Sequence, residues 1–424
     1  MNSLKKNTIL HLIIYTVLFK FLLEISYFIF SHPLYEYYGF TLDINYYKFV
    51  ESWLIVLLTT IFVPFRQEKP SNLILLVLFF ITIIPIASIY WLKNEERIYY
   101  YSVLLSFILI IILIKILPIV NISLKGFKPK TIKNLLVIIA IGIMGIIFIY
   151  NGFPSIAALN FNNVYNVRSN FNYGSTIMQY LVTWLANIFN MLLLLIALIN
   201  RKKFLFIFSI AIQLLLFLYT GNKSFLFSLI VFPLVFYMVK YRIINKLVLL
   251  CLPLSIIAGI ISYKLFDFYW IASLSINRIF FLPAQISFQY YEFFSENKLM
   301  LLQHSIFEPF SLEEVYPEDP VRMIGIEYYN SNWPNTGYVG DAYMNFGIIG
   351  IFIFSILVVI ILRILDSISK ISGDLYLITM TFSVIFVLNL SSTGLLTSML
   401  TGGIGLILLI LLFYKQSKNE SVRS

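Results

Sequence analysis

The chain has 424 residues, of which 60% are hydrophobic and 12% charged, and its mean hydropathy is +0.89. Soluble domains average roughly 25% charged residues, so this composition excludes a soluble enzyme, a coiled coil and a disordered scaffold. The only cysteine, Cys251, lies in an apolar run, which excludes an internal disulfide or a multi-cysteine zinc site. The net charge of +10 does not indicate nucleic acid, because in a membrane protein the distribution of charge matters more than its sum.

Long apolar runs recur along the chain, each with the roughly 20 residues needed to cross about 30 Å of hydrocarbon. Since backbone polar groups cannot stay unpaired in lipid, these runs are predicted to be helices. The sequence therefore predicts an all-α polytopic membrane protein with a single membrane domain over 1–424. About 12 spans are expected from hydropathy. They lie near 9–30, 50–65, 73–92, 99–120, 132–150, 175–199, 204–220, 225–239, 247–262, 347–364, 375–390 and 399–414.

The connections between the spans fall into a basic set and an acidic set. If both termini are cytoplasmic, each connection on that side is net basic or neutral, and the positive-inside rule is satisfied throughout. The first span carries Lys20 and Glu24, four residues apart, which we expect to pair with each other. Its length and charge predict a retained helix and not a cleaved signal peptide. The cytoplasmic bases are Lys5, Lys6, Arg66, Lys69, Lys125, Lys128, Lys130, Lys133, Arg201, Lys202, Lys203, Lys240, Arg242, Lys246, Arg363, Lys370, Lys415, Lys418 and Arg423.

Two connections on the opposite side are longer than the rest, 151–174 and 263–346. Parts of the second, such as Ile279 to Phe294, are apolar enough to lie along the membrane surface as amphipathic helices. Its aromatic and amide residues are typical of a carbohydrate site, although tyrosine and tryptophan also anchor proteins at membrane interfaces. The candidate glycan-binding residues are Tyr291, Tyr328, Asn332, Trp333 and Asn335.

Four cations on this side are candidates for binding a diphosphate: Arg168, Lys223, Arg278 and Arg322. The planar fork of arginine can bridge pairs of phosphate oxygens. Arg278 stands among apolar residues, where an unpaired charge would be costly. A structural ion pair with an acid of the same connection is the alternative.

His304 and Asp341 are the candidate acid–base groups of the long connection. Imidazole is suited to proton transfer near neutrality. A lone histidine is more often a hydrogen-bonded structural residue, and an aspartate at a helix start is also favourable with the helix dipole. The sequence does not choose between these alternatives, and it shows no ligand set for a metal.

The chain resembles the O-antigen polymerases of the Wzy type in its overall arrangement of spans and loops and in three pieces of sequence. The pieces are Asn277–Phe294 (NRIFFLPAQISFQYYEFF), Asn335–Gly350 (NTGYVGDAYMNFGIIG) and the short basic turn Gly221–Ser224. An arginine followed by ten residues and a glycine, a pattern of some members, is not present, since Gln179 and Gln289 stand at those positions.

The resemblance implies a GT-C-like architecture in the bacterial inner membrane and a role in lipopolysaccharide biosynthesis. The implied reaction transfers a nascent glycan from undecaprenyl diphosphate to a lipid-linked repeat unit at the periplasmic face, without metal or cofactor. The implied partners are the lipid-linked donor and acceptor, membrane lipid and a chain-length regulator of the same pathway. An O-antigen ligase and a lipid-oligosaccharide flippase are the alternatives, although a transporter would more often show repeated halves and broken midplane helices.

Overall fold

A computed structural model describes residues 2–119, 126–160, 163–305, 316–330 and 334–414. Within these ranges the regular structure is helical and no β-strand forms. The α-helices are α1 Asn2–Ser26, α2 His32–Tyr35, α3 Tyr46–Thr60, α4 Pro70–Leu78, α5 Ile84–Leu92, α6 Arg97–Ile116, α7 Pro129–Asn151, α8 Val164–Asn170, α9 Thr176–Trp184, α10 Asn190–Ile199, α11 Lys203–Thr220, α12 Lys223–Lys240, α13 Ile244–Phe266, α14 Tyr269–Ala272, α15 Leu282–Glu296, α16 Pro320–Tyr329, α17 Tyr338–Ser369, α18 Gly373–Ser392, α19 Leu395–Leu400 and α20 Ile404–Leu412. Turns of π-helix continue some of them at Tyr27–Ser31, Phe79–Ile83, Leu185–Phe189 and Ser273–Phe281.

Eleven helical stretches in the described ranges are long and apolar enough to cross a membrane. The protein is therefore a multi-pass membrane protein, as the hydropathy of the sequence predicts. The stretches are Ile9–Tyr38, Pro70–Leu92, Arg97–Ile116, Pro129–Asn151, Thr176–Ile199, Lys203–Thr220, Lys223–Lys240, Ile244–Phe266, Tyr269–Glu296, Tyr338–Ser369 and Gly373–Ser392.

The set of stretches differs from the predicted one at three places. The predicted span 50–65 is the 15-residue helix α3, which at 1.5 Å per residue is about 22 Å long and falls short of the bilayer core. The predicted span 399–414 is interrupted before α20, where Gly403 has φ +74°. Conversely, Tyr269–Glu296 is one helical stretch that qualifies by length and composition, where surface helices were expected.

The chain divides into two compact units. Unit 1 comprises Met1–Ile119, Ile243–Arg363 and Ser383–Thr397. In it α1 packs against α3, α5 and α13. The ring of Phe19 on α1 lies 5.2 Å from that of Phe80 and 5.2 Å from that of Phe280, which joins three parts of the unit into one aromatic core.

A buried ion pair lies inside unit 1. Lys20 and Glu24 pair on α1, as predicted, and both side chains are almost wholly buried. One oxygen of Glu24 also accepts from Trp91 at 2.7 Å, and the other accepts from Trp53 at 3.0 Å. Ser88 donates to the same carboxylate at 3.3 Å. The charge is therefore fully hydrogen bonded, which makes its burial within a membrane helix tolerable.

Unit 2 comprises Val120–Arg242, Ile364–Phe382 and Ser398–Ser424. Its helix α10 packs against α11 and α12, and a polar chain connects the three. Asn190 of α10 donates to Gln213 of α11 at 2.8 Å, and Gln213 donates to Ser228 of α12 at 2.9 Å. Such interhelical hydrogen bonds are typical of membrane bundles, where the hydrophobic effect gives little preference for one helix partner over another.

Candidate functional site

Unit 1 contains a cavity of about 630 Å³, which we call the arginine cavity. Its volume lies within the range of small-molecule sites, about 300 to 1,000 Å³. Segments from four distant parts of the chain form its wall, so tertiary packing and not a local motif creates it. The lining residues are Tyr35, Tyr38, Phe40, Ser273, Asn277, Arg278, Leu282, Pro283, Ile286, Tyr329, Pro334, Asn335, Ser392 and Thr393.

The π-helical turn Ser273–Phe281 forms one wall of the arginine cavity and is anchored at two positions. Tyr35 donates a 3.0 Å hydrogen bond to Ser273, and Ser31 donates a 2.5 Å hydrogen bond to the buried side chain of Asn277. Turns of π-helix are rare and occur frequently at functional sites. These two bonds fix the turn against the end of the first helical stretch.

Arg278 follows the buried Asn277 directly and is exposed in the wall of the cavity. On its other side Phe280 and Phe281 are fully buried. The described part of the chain gives the Arg278 guanidinium no hydrogen-bond or ion-pair partner. Five N–H donors are therefore available to an anion that enters the cavity.

Tyr38 and Tyr329 also line the cavity, and two buried glutamines bond to them. Gln285 donates to the main-chain oxygen of Tyr38 at 2.6 Å, and the Tyr329 hydroxyl donates to Gln289 at 2.6 Å. Burial raises the pKa of Tyr329, so its hydroxyl stays protonated and acts as a donor. Gly39 has φ +82°, and a Cβ there would lie 3.2 Å from the Gln285 amide. The backbone conformation and the close approach of this turn to Gln285 both favour glycine at this position.

Asp341 does not line the arginine cavity. It is buried near the start of α17, and its carboxylate accepts from the N–H of Leu395 at 2.8 Å and from Asn345 at 3.3 Å. A Cβ added to Gly394 would lie only 2.8 Å from the Asp341 carboxyl carbon. Leu395 is two residues beyond Thr393, which does line the cavity. The carboxylate thus anchors the start of α19, next to a segment that lines the cavity.

His304 is half-buried in a turn after α15 and also lies off the cavity. Its Nε2 is 3.1 Å from the main-chain oxygen of Tyr316, and its backbone has φ +60°. The turn is tied to α17, because Asn345 accepts from the N–H of Leu302 at 2.8 Å. Since Asn345 also bonds Asp341, it connects the regions of the two candidate bases.

Two of the predicted glycan-binding tyrosines contact other protein groups. The ring of Tyr291 lies 4.8 Å from that of Tyr99 and 4.9 Å from that of Tyr343, in an aromatic cluster that is not part of the cavity wall. Tyr328 is half-buried, and burial, followed by the nearby Glu292 carboxylate, raises its pKa. Neither tyrosine lines the cavity in this structure.

The remaining candidates of the long connection have different surroundings. Arg322 forms an exposed ion pair with Glu318 at 3.5 Å and does not line the arginine cavity. Asn332 and Trp333 lie outside the described residues. Asn335 is exposed and lines the arginine cavity.

Arg168 and Lys223 lie together in unit 2. The Arg168 guanidinium carbon is 5.8 Å from the ring centroid of Tyr165, and the Lys223 amine is 5.6 Å from the same centroid. Asn222 caps α12 by accepting from the N–H of Ser224 at 3.3 Å. Two predicted diphosphate ligands thus share one exposed aromatic side chain at a helix start.

Sequence reasoning found Arg278 and Asn335 but missed Tyr35, Tyr38 and Asn277. The first span was expected to end near residue 30, whereas the helical stretch continues to Tyr38. The run Tyr35 to Tyr38, which contains three tyrosines, was the available signal, because tyrosines beyond the end of an apolar run are positioned at an interface.

No set of three or more histidine, cysteine, aspartate or glutamate side chains in the described ranges is placed to hold a metal ion.

No family model, curated protein or solved structure matches the chain. What the protein does is therefore inferred from its own residues.

Proposed function

We propose that the protein is a membrane glycosyltransferase, an O-antigen polymerase that extends a glycan carried on undecaprenyl diphosphate at the periplasmic face of the inner membrane. The observation that carries the proposal is the Arg278 guanidinium, exposed in the wall of the arginine cavity with no partner among the described residues. A diphosphate fits a guanidinium fork in pairs of charge-assisted bonds. Asn335 and Tyr38 in the same wall suit sugar hydroxyls.

The proposed chemistry is a displacement at the anomeric carbon of the donor glycan. A hydroxyl of the acceptor repeat unit attacks that carbon and loses its proton to a base, and the bond to undecaprenyl diphosphate breaks. Arg278 stabilises the charge that develops on the leaving diphosphate. His304 and Asp341 remain the two candidate bases, connected by Asn345. A base acts within hydrogen-bond reach of its proton or through one water.

The reaction needs two lipid-linked diphosphates, because donor and acceptor each carry one. Arg278 provides one cation in unit 1, and Arg168 with Lys223 provides a pair in unit 2. We assign one diphosphate to Arg278 and the other to the pair Arg168 and Lys223. Arg322 is removed from this set because Glu318 pairs with it.

The proposed orientation has both termini in the cytoplasm and residues 263–346 on the periplasmic side. In it α3 crosses the membrane, since a helix shorter than the hydrocarbon core is accommodated by local thinning of the bilayer, and Tyr269–Glu296 does not cross. A full crossing by Tyr269–Glu296 would carry Arg363 and Lys370 to the periplasmic side, against the positive-inside rule. This stretch also has the lowest hydropathy among the eleven, 1.2, and it is bonded to the end of the first helical stretch through Ser273 and Asn277.

The experiment that tests the function is the glycan ladder of cells in which the gene is deleted and then restored. A polymerase mutant makes lipopolysaccharide with a single repeat unit, and restoring the gene returns the ladder. A ligase mutant makes none with repeats, and a flippase mutant accumulates lipid-linked repeats on the inner face of the membrane. Either of the last two results would replace the proposal.

A further inference from the structure

Unit 2 has a second cavity, of about 440 Å³, which we call the asparagine cavity. It is distinct in composition from the arginine cavity, since none of its lining residues carries a formal charge. The lining residues are Asn151, Phe153, Ser155, Ala157, Asn163, Asn166, Val167, Asn170, Phe171 and Tyr219. We infer that this cavity binds an uncharged part of an oligosaccharide.

Three side-chain amides line one side of the asparagine cavity. Asn163, Asn166 and Asn170 are spaced three and four residues apart at the start of α8 and along it, so they share one helical face. Their side-chain amides have no hydrogen-bond partner among the described residues, and Asn163 does not use its amide to cap the helix. Each amide offers two donors and one acceptor oxygen, which matches hydroxyl groups that both donate and accept.

Aromatic side chains also line the cavity. The ring of Phe153 is 86% exposed, so its face is accessible to a ligand. Phe171 packs 6.4 Å from Tyr219, whose hydroxyl donates to the main-chain oxygen of Gly152 at 2.7 Å. Flat apolar faces and amides in one cavity suit a ring that has C–H faces and hydroxyl edges.

Close contacts hold together the backbone segments that form the asparagine cavity. The side chain of Asn151 accepts from the N–H of Asn172 at 2.9 Å and donates to its main-chain oxygen at 3.0 Å. Gly221 has φ +61°, and a Cβ there would lie 2.4 Å from the main-chain oxygen of Val164 in the first turn of α8. These contacts hold Asn151 and the start of α8 in place before a ligand binds.

The inference deepens the proposed function and depends on it for the identity of the ligand: the cavity takes sugar residues, while Arg168 and Lys223 take phosphate. A neutral lining does not favour inorganic anions, so a ligand without charge is the critical probe. Such a probe is the reducing oligosaccharide released by mild acid from the lipid-linked intermediate of the same cells.

The test is calorimetric binding of this free oligosaccharide to the purified full-length protein in detergent. The double variant Asn166→Ala with Asn170→Ala should bind about tenfold more weakly, the effect of losing two neutral hydrogen bonds. Phe153→Ala changes only an exposed ring and should also weaken binding. Ser169→Ala is the matched control on the same helix, because Ser169 does not line the cavity, and it should bind like the parent protein.

Parent protein that binds no oligosaccharide would overturn the inference, and so would a double variant and Phe153→Ala that both bind like Ser169→Ala. The outcomes are separable from those of the proposed function. If the parent binds and the variants do not, the cavity is a saccharide site even when the protein makes no polymer. If polymer forms while the variants bind normally, the proposed function stands and the saccharide site is refuted.

Discussion

The main-chain N–H of Leu395 donates a 2.8 Å hydrogen bond to the carboxylate of Asp341, 54 positions away in the chain. Gly394 makes the contact possible, because a Cβ at that position would lie 2.8 Å from the Asp341 carboxyl carbon. A buried carboxylate that accepts a backbone N–H at a helix start stabilises the packing there. Asp341 therefore has a structural role whether or not it also acts as a base.

Gly394→Ala should destabilise the protein, because the added methyl group pushes against the Asp341 carboxylate. Overpacking of this kind costs typically 1–3 kcal/mol. The measurement is the thermal unfolding midpoint in detergent. Gly373→Ala is the matched control, since nothing lies within 4 Å of a Cβ at Gly373; its midpoint should be unchanged or slightly raised. Equal midpoints for the two variants would contradict the packing argument.

Glu24→Gln should be strongly destabilising, because it leaves the Lys20 ammonium buried without its counter-charge. Breaking a buried pair by removing one partner costs about 3–5 kcal/mol. Glu68→Gln breaks the exposed pair with Arg66, whose side chain is 67% exposed, and should cost at most about 1 kcal/mol. Denaturant titration of both variants in detergent compares them directly, and similar losses would show that burial of the Lys20 pair is unimportant.

Arg278→Ala should abolish polymer while leaving single-repeat lipopolysaccharide and protein in the membrane. Arg278→Lys should also be poor, because a point charge does not reproduce a bidentate contact. Arg322→Ala is the control that removes an arginine of the same connection, one already paired with Glu318 and not lining the cavity. The readout is the glycan ladder together with membrane protein level. A full ladder from Arg278→Ala would remove Arg278 from the site.

Reporter fusions test the proposed orientation. A periplasm-active reporter should be active after residue 160 or 320 and inactive after 127 or 243, because basic connections stay in the cytoplasm. The fusion after 320 is decisive for Tyr269–Glu296. If that stretch crosses the membrane, this reporter becomes inactive while the one after 160 stays active.

Hydropathy predicted most of the fold because the cost of placing polar groups in lipid acts on each segment independently of its neighbours. It does not distinguish a crossing from a surface helix where tertiary contacts act on the segment. The stretch Tyr269–Glu296 contains Asn277 and Arg278, which lower its hydropathy, and Ser31 satisfies Asn277 from a distant helix. No local pattern in the sequence predicts the hydrogen bond between Ser31 and Asn277.

The sequence predicted only part of the candidate site. Arg278 stands out in the sequence as a charge among apolar residues, and the structure leaves it exposed in a cavity wall. Arg322 differs from Arg278, because it forms an exposed ion pair with Glu318, four residues earlier, a local relation that the sequence spacing indicates. Tyr35 and Tyr38 reach the cavity only because the first helical stretch extends to Tyr38.

The last prediction separates the two candidate bases. One ring nitrogen of His304 contacts the main-chain oxygen of Tyr316. Since the side chain contributes little else to the turn, His304→Ala should unfold at nearly the same temperature as the parent. If His304 is the base, turnover of purified enzyme on lipid-linked repeats falls by roughly a hundredfold to ten-thousandfold.

Asp341→Asn keeps the shape of the side chain but removes its charge, and its bond to the Leu395 N–H should weaken. If Asp341 is the base, turnover falls by the same order while the unfolding midpoint drops by only a few degrees, the shift expected for about 1 kcal/mol in a protein of this size. If its role is structural alone, turnover follows the midpoint and returns when the assay is cooled. Chelator should leave the activity of the parent enzyme unchanged, because the proposed mechanism stabilises the leaving diphosphate with arginine and lysine. Full turnover in both variants would exclude both bases, and reversible loss of activity in EDTA would require a metal in the reaction.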